Sequence, residues 1–343
     1  MRMQSVAGRA ATVLGIVGLM AATGPEPAVA DGDVNIYSAR HYQSDERLYA
    51  EFEDRTGIEV NRLQGKSDAL IQRIENEGRN TPADVLITVD AGRLWRAEKA
   101  DILASVESGK LKERLPENFR HPDGKWFGFS SRARVIFYSK DMYDEPPVTT
   151  YEGLADDKLQ GEVCIRSSSN VYNQSLLASM IAHHGAKKAE GWAAGVVDSF
   201  AREPEGGDTD QIMGVAGGEC GVAVANHYYY VRLLESNPDI TERVGIVFPN
   251  QDGRGAHVNV SGAGVVAAGP NRENAVRFLE FLASEFAQRY FADGNNEYPT
   301  VPGVAPNTKL EALGEFKMDD VNVAVFGENQ ARAQKIFDRV GWK

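Results

Sequence analysis

Short apolar runs with strand character alternate with helical periodicities along almost the whole chain, and that alternation limits the available folds more than any other feature. Val34-Asn35-Ile36-Tyr37-Ser38 alternates apolar and polar residues and reads as a strand. A helix from about Ser44, carrying Leu48 and Phe52, leads to a strand at Ile58-Glu59-Val60. Ala69 to Asn76 reads as helix, Ala83 to Val89 as a buried strand, and Leu94 to Glu98 as helix again. Beyond Lys125-Trp126-Phe127-Gly128-Phe129 the pattern changes, and Arg134 to Tyr138 is a strand that crosses into a second unit. There follow a strand over Gly161 to Ile165, helices over Asn173 to His184 and Ala189 to Phe200, a helix starting at Thr209 and a strand over Cys220 to Ala225. His257 to Val266 reads as a return crossing, Ala275 to Tyr290 as one amphipathic helix, and the stretch from Leu310 onward as further helices. Strand–helix alternation builds a mostly parallel sheet with helices on its faces. The expected fold is therefore α/β in two lobes: residues 31–130 plus 260–308 in the first, and 131–259 plus 309–343 in the second. Two crossings between lobes suit closure of a cleft around a ligand.

The first thirty residues read as an export signal, not as part of the fold. Arg2 and Arg9 make a positive start, Ala10 to Gly24 is apolar, and Ala28-Val29-Ala30 offers the small residues of a cleavage site, so the cut is expected after Ala30. The apolar stretch falls short of the roughly 20 residues that span a bilayer. Of the 343 residues, 313 then remain, enough for two domains. Their net charge is −13, against −12 for the full chain, which speaks against nucleic acid and anionic lipid as partners and is permissive for a cationic ligand. The two cysteines, Cys164 and Cys220, both lie in the exported part, where an even pair is expected to form a disulfide.

Tyrosine or histidine stands at the ends of three strands, where open α/β sheets bind ligands: Arg40-His41-Tyr42, Tyr172 in Ser167 to Gln174, and Asn226-His227-Tyr228-Tyr229-Tyr230. Tyr172 follows Cys164 by eight residues, and Tyr228 follows Cys220 by eight, so a disulfide between neighbouring strands would tie together the segments that deliver both. Taken alone, a tyrosine run is more often aromatic packing with its hydroxyls on water or backbone. Tyr298 reads as part of a turn, the adjacent His183 and His184 as surface residues, and His121 and His257 carry no ligand spacing. Asn170 with the serines before it, and the Asp208–Asp210 pair, read as helix caps. There is no GxSxG, HExxH or complete P-loop, so nothing marks an enzyme.

At Arg40-His41-Tyr42, Pro82 to Leu86, Trp126 to Phe129, Ser168 to Ser175, Gly207-Asp208-Thr209-Asp210-Gln211 and Asn226 to Tyr229, the chain resembles the periplasmic ferric-ion-binding proteins of bacterial iron ABC importers. The likeness is to the FutA type, among the bacterial extracellular solute-binding proteins of family 1. The resemblance implies a type II periplasmic binding protein with its ligand between the lobes. It also implies a non-enzymatic carrier in the periplasm, a monomer, that passes iron to the permease and ATPase subunits of an inner-membrane importer. By the same resemblance Tyr172, Tyr228 and Tyr229 match metal ligands of the second lobe, and Tyr42 matches one from the first. His41 is a fifth ligand in some members, and Arg40, Arg132 and Arg134 match basic residues near the metal. The cargo is one Fe3+ per chain, with Fe2+ left open. Tyr230 departs from the usual non-tyrosine at its position. The chemistry agrees: Fe(III) prefers hard anionic oxygen, and four phenolates leave a formal charge of −1 that an arginine could offset. Two other readings stand beside it. One is a cleft for a small organic or anionic solute held by Arg40, Arg132 and the Ser167 segment, and the other is an exported redox enzyme using bound iron.

Overall fold

The computed structural model describes Met1, residues 32–40 and residues 45–343; the export signal and its expected cut after Ala30 lie outside the described residues, as do His41 and Tyr42. The chain opens with β1 (Asp33–Ser38), α1 (Asp45–Thr56), β2 (Glu59–Gln64), α2 (Ser67–Glu77), β3 (Val85–Val89), α3 (Ala91–Lys99) and α4 (Gly109–Arg114). The long β4 (Phe127–Ser139) follows, then β5 (Val163–Cys164), α5 (Val171–His184), α6 (Ala186–Asp198), α7 (Asp208–Ala216), β6 (Val222–Asn226), α8 (His227–Ser236), α9 (Ile240–Arg243) and β7 (Val244–Val247). β8 (Val258–Val265), α10 (Arg272–Leu282), α11 (Glu285–Asn295), β9 (Tyr298–Pro299), α12 (Thr308–Glu311) and α13 (Ala324–Val340) complete it.

The strands run in the order β2-β1-β3-β8-β4-β6-β5, with β7 and β9 also on β4. β1 pairs in parallel with β2 and β3, while β8 lies antiparallel between β3 and β4. At the other end β5 and β6 are parallel, and β6 and β7 both run against β4. Each half of the sheet is therefore mostly parallel in direction, with one long strand reversed. Apolar runs such as Val85 to Ile87 are buried on both faces, as helix-covered parallel strands require.

β4 joins the halves. Its first part, from Phe127 to Ala133, pairs with β8, and its second part, from Arg134 to Tyr138, pairs with β6. The crossing starts about seven residues earlier than the apolar pattern suggests, because polar Ser130, Ser131 and Arg132 are buried in it. At the hand-over Arg134 N donates to His257 O at 3.0 Å. The buried Tyr151 hydroxyl donates to Arg134 O at 2.5 Å and accepts from His257 N at 3.0 Å, pinning both crossing strands together.

Two expectations are corrected. The single helix over Ala275 to Tyr290 is two helices, α10 and α11, because Ser284 Oγ accepts from Ala287 N at 3.3 Å and starts a new helix instead of continuing the old one. Tyr298 lies not in a turn but in β9, paired with Ser131 of β4. The expected Cys164–Cys220 disulfide is present, with Cα atoms 5.8 Å apart, and joins β5 to the turn before β6. It closes a loop of 56 residues, for which chain entropy gives at most about 4 kcal/mol. Replacing both cysteines with serine is expected to lower the urea midpoint by the equivalent of roughly 2–4 kcal/mol; an unchanged midpoint would show that the disulfide does not constrain the unfolded chain.

Candidate metal centre

Two strand-to-helix junctions place tyrosines side by side. After β5, Asn170 Oδ1 accepts from Tyr172 N at 3.1 Å and from Asn173 N at 3.3 Å, capping α5 so that Tyr172 is its second residue. After β6, α8 begins at His227, and Tyr228 is again the second residue. The two hydroxyl oxygens are 3.5 Å apart. The ring of Tyr229 packs on that of Tyr228, centroids 4.3 Å apart. Consecutive tyrosines share a neighbourhood because the chain is already helical there; in a strand they would face opposite ways. Both junctions put the phenols at helix N-termini, whose positive end favours anionic oxygen. Tyr230 goes elsewhere: its hydroxyl donates to Val244 O at 3.2 Å and its ring packs on Phe137.

Guanidinium groups surround these phenols. Arg132 and Arg134 are two apart on β4 and share a face. Arg132, Arg134 and Arg166 lie 5.2, 5.9 and 5.9 Å from the Tyr172 ring centre. Arg232 lies 4.9 Å from the Tyr228 ring and 5.8 Å from that of Tyr229. Arg132 is buried, and its Nη1 donates to Ser261 Oγ at 3.0 Å, but its Nε and Nη2 have no hydrogen-bond partner among the described residues. Burial alone would depress this guanidinium, yet the phenols of Tyr172 and Tyr228 and the carboxylates of Asp90 and Glu297 hold it above its ordinary value. Arg166 and Arg232 were not singled out from sequence. Arg232 follows Tyr228 by four residues, a helical spacing that could have flagged it.

Arg40 is less available than its position near the opening strand suggests. Its Nε donates to Asp45 Oδ2 at 3.0 Å and its Nη1 to Glu297 Oε2 at 2.9 Å, all three groups being buried. Burial alone would raise the Glu297 carboxyl, but Arg40 and Arg132 outweigh it and keep it below the usual range. His227 fastens the tyrosine pair to the crossing: its Nδ1 accepts from Ala133 N at 3.2 Å and its Nε2 donates to Asn296 O at 2.9 Å. Its ring packs on Tyr298, whose hydroxyl is buried with no hydrogen-bond partner among the described residues.

Other sequence candidates find structural roles. His183 and His184 lie at the surface as expected, His183 exposed and His184 half-buried, 2.6 Å from Asp319 and Glu152 respectively. His121 pairs with Glu98 at 3.1 Å. Asp210 accepts from Gly207 N at 2.5 Å and closes the start of α7 as expected; Asp208 does not cap but is buried against Arg134. Among the described residues, the group of His, Cys, Asp or Glu side chains close enough to share an ion is Cys164, Glu219 and Cys220, and the disulfide occupies both sulfurs. What the candidate site brings together is tyrosine hydroxyls, not carboxylates or imidazoles at ligand spacing.

A family model for bacterial extracellular solute-binding proteins matches residues 47–318. The chain belongs to that family. It is 51% identical over 328 residues to iron uptake protein A1 of Synechocystis sp., covering 93% of this chain and 91% of that protein. It is 26% identical to the major ferric iron-binding protein of Neisseria meningitidis serogroup B, covering 94% and 96%. Among solved structures, the FutA (IdiA) protein of Trichodesmium, in complex with iron and citrate, superposes with a TM-score of 0.88 at 53% identity, covering 91% of this chain and all of that one. Apo FutA2 from Synechocystis superposes with a TM-score of 0.87 at 50% identity, covering 91% and 99%. The FutA-type resemblance and the two-lobed α/β architecture expected of this solute-binding protein both stand.

His227 gives the solute-binding protein an acid-sensitive joint. Burial drives its imidazole down to about 4, against the carbonyl oxygens of Ala133, 3.3 Å from Nδ1, and of Asn296, which favour the charged form. A histidine whose folded value lies below its unfolded value of about 6.5 takes up a proton on unfolding. Its contribution is therefore present above pH ~6.5 and is lost as pH falls towards 4. Replacing His227 with Gln is expected to remove up to about 3 kcal/mol of the fall in unfolding free energy between pH 6.5 and 4. The same slope in both proteins would mean that the ring is not held neutral.

Proposed function

We propose that this protein binds one ferric ion in the periplasm through the phenolates of Tyr172, Tyr228 and Tyr229 and delivers it to an inner-membrane ABC iron importer. The observation that carries this reading is the 3.5 Å approach of the Tyr172 and Tyr228 hydroxyls, with Tyr229 stacked beside them and the part-unsatisfied Arg132 behind. Two neutral phenols gain little from such proximity. Two phenolates would repel, and a hard trivalent cation is what makes the arrangement favourable. The names of the relatives support the choice of ion: iron uptake and ferric binding recur among them. The extracellular solute-binding family works with ABC transporters and gives the same support to periplasmic delivery without catalysis.

Tyr42 is proposed as the ligand from the first lobe and His41 as its neighbour in the sphere. The first lobe is assigned residues 31–130 plus 260–308, and the second 131–259 plus 309–343, with β4 and β8 as the crossings. Arg132 would offset the excess negative charge of the phenolates. Arg134 stands further back, and Arg40, tied to Asp45 and Glu297, stiffens the first-lobe wall.

Ferric loading is expected to give the visible absorption of a phenolate-to-iron charge transfer. The Tyr228→Phe/Tyr229→Phe variant is expected to lack that band and to lose at least about 100-fold in affinity, more than loss of an outer-shell partner costs a metal site. Because phenols ionise near pH ~10 unaided, loading displaces protons, and retention against a chelator should weaken as pH falls. Colourless loaded protein, or a double variant with unchanged affinity, would contradict the proposal.

A further inference from the structure

The Gly207-Asp208-Thr209-Asp210-Gln211 segment contributes no ligand, yet it reaches the tyrosines from behind. Asp208, in the first turn of α7, is completely buried. Its Oδ2 accepts from Asn226 N at 3.1 Å, the backbone group immediately before α8. Its two oxygens lie 3.4 and 3.5 Å from Arg134 Nη1, which is also 3.2 Å from Asn226 Oδ1. Arg134 Nη2 donates to Asn173 Oδ1 at 2.6 Å, and Asn173 Nδ2 donates to Arg166 O and Ser167 O at 2.6 and 3.2 Å. Arg166 Nη1 is 3.6 Å from the same carboxylate. One carboxylate is thus bonded directly to the start of α8, which carries Tyr228 and Tyr229. Through Arg134 it is bonded to the first turn of α5, which carries Tyr172.

We propose that Asp208 is a positioning residue for the tyrosine site, setting the separation of α5 and α8 and hence of the phenol oxygens they carry. The inference rests on the ferric-binding reading given above. Charge supports it. A buried carboxylate at the base of two helices whose phenols must become anions is unfavourable by itself, and its place there is accounted for by what it holds. Two guanidiniums, from Arg134 and Arg166, flank the single Asp208 charge, so the field on Tyr172 from this set remains positive. Asp210, two residues on, is exposed and closes only its own helix, which makes it a built-in control.

The test compares wild type, Asp208→Ala, Asp208→Asn and Asp210→Ala as full exported chains, each checked for folding by circular dichroism and loaded with ferric ion alone. The position of the charge-transfer band reports phenolate–iron geometry in the folded fraction, which a loss of stability alone would not move. Asp208→Ala is expected to shift the band and weaken retention against a chelator at least tenfold. Asp208→Asn keeps an acceptor for Asn226 N and is expected to recover part of both, and Asp210→Ala is expected to match wild type. A folded Asp208→Ala protein with the wild-type band and retention overturns the positioning role. So does an equal shift in Asp210→Ala. If Asp208→Ala does not fold, Asn173→Ala, which cuts the link to Arg134, decides: a shifted band supports the role and an unshifted one overturns it. A wild type with no band at all overturns the ferric-binding reading and this inference with it, an outcome distinct from failure of the positioning role alone.

Discussion

β4 carries Arg132 and Arg134 through the middle of the molecule, both almost wholly buried, and much of the structure is arranged around those two charges. An isolated buried charge costs several kcal/mol unless it is paired and hydrogen-bonded. Both Nη nitrogens of Arg134 are taken up by Asp208, Asn226 and Asn173, with only its Nε lacking a partner among the described residues, so α7, β6 and α5 are drawn to one point. Arg132 is left incomplete: one nitrogen reaches Ser261, and two have no partner among the described residues. The side of it nearest Tyr172 and Tyr228 is where negative charge would complete the balance. On the proposed ferric-binding reading, phenolates at Tyr172 and Tyr228 would supply that charge.

The same strand explains how two halves of a sheet can share a site. β4 pairs with β8 in its first half and β6 in its second, and the Tyr151 hydroxyl bridges the two crossing strands where the partners change. His227 ties the tyrosine-bearing helix α8 to Ala133 and Asn296 at that boundary. On the other side Asp90, with its backbone at φ +85°, accepts from Ser175 of α5 and Asn259 of β8. α5 and α8 are therefore both fastened at the crossing, and α5 packs in addition along α13, where Gln174 bonds Gln330 and Gln334.

The α/β class, the two crossings and most helices were legible because each rests on local periodicity. The boundary in α10–α11 was not, since a single side-chain cap at Ser284 outweighs an apolar pattern that continues unbroken through it. Tyr172 and Tyr228 could be singled out as strand-end residues, but not told from packing aromatics without the family resemblance. Tyr230 shows why: chemically identical and two residues beyond Tyr228, it is a core side chain bonded to Val244 O. Asp208 reads from sequence only as a helix cap, and Arg166 and Glu297 carry no signal, for a different reason. Their partners lie 18 to 257 residues away along the chain, and no local pattern encodes an ion pair of that span. His41 and Tyr42 lie outside the described residues, so the first-lobe contribution rests on sequence resemblance.

The most direct test is diffraction at the iron absorption edge from crystals of the ferric-loaded protein. A single anomalous peak within bonding distance of the Tyr172, Tyr228 and Tyr229 oxygens is the predicted result. A peak elsewhere on the chain, or none within reach of those three oxygens, would contradict the account.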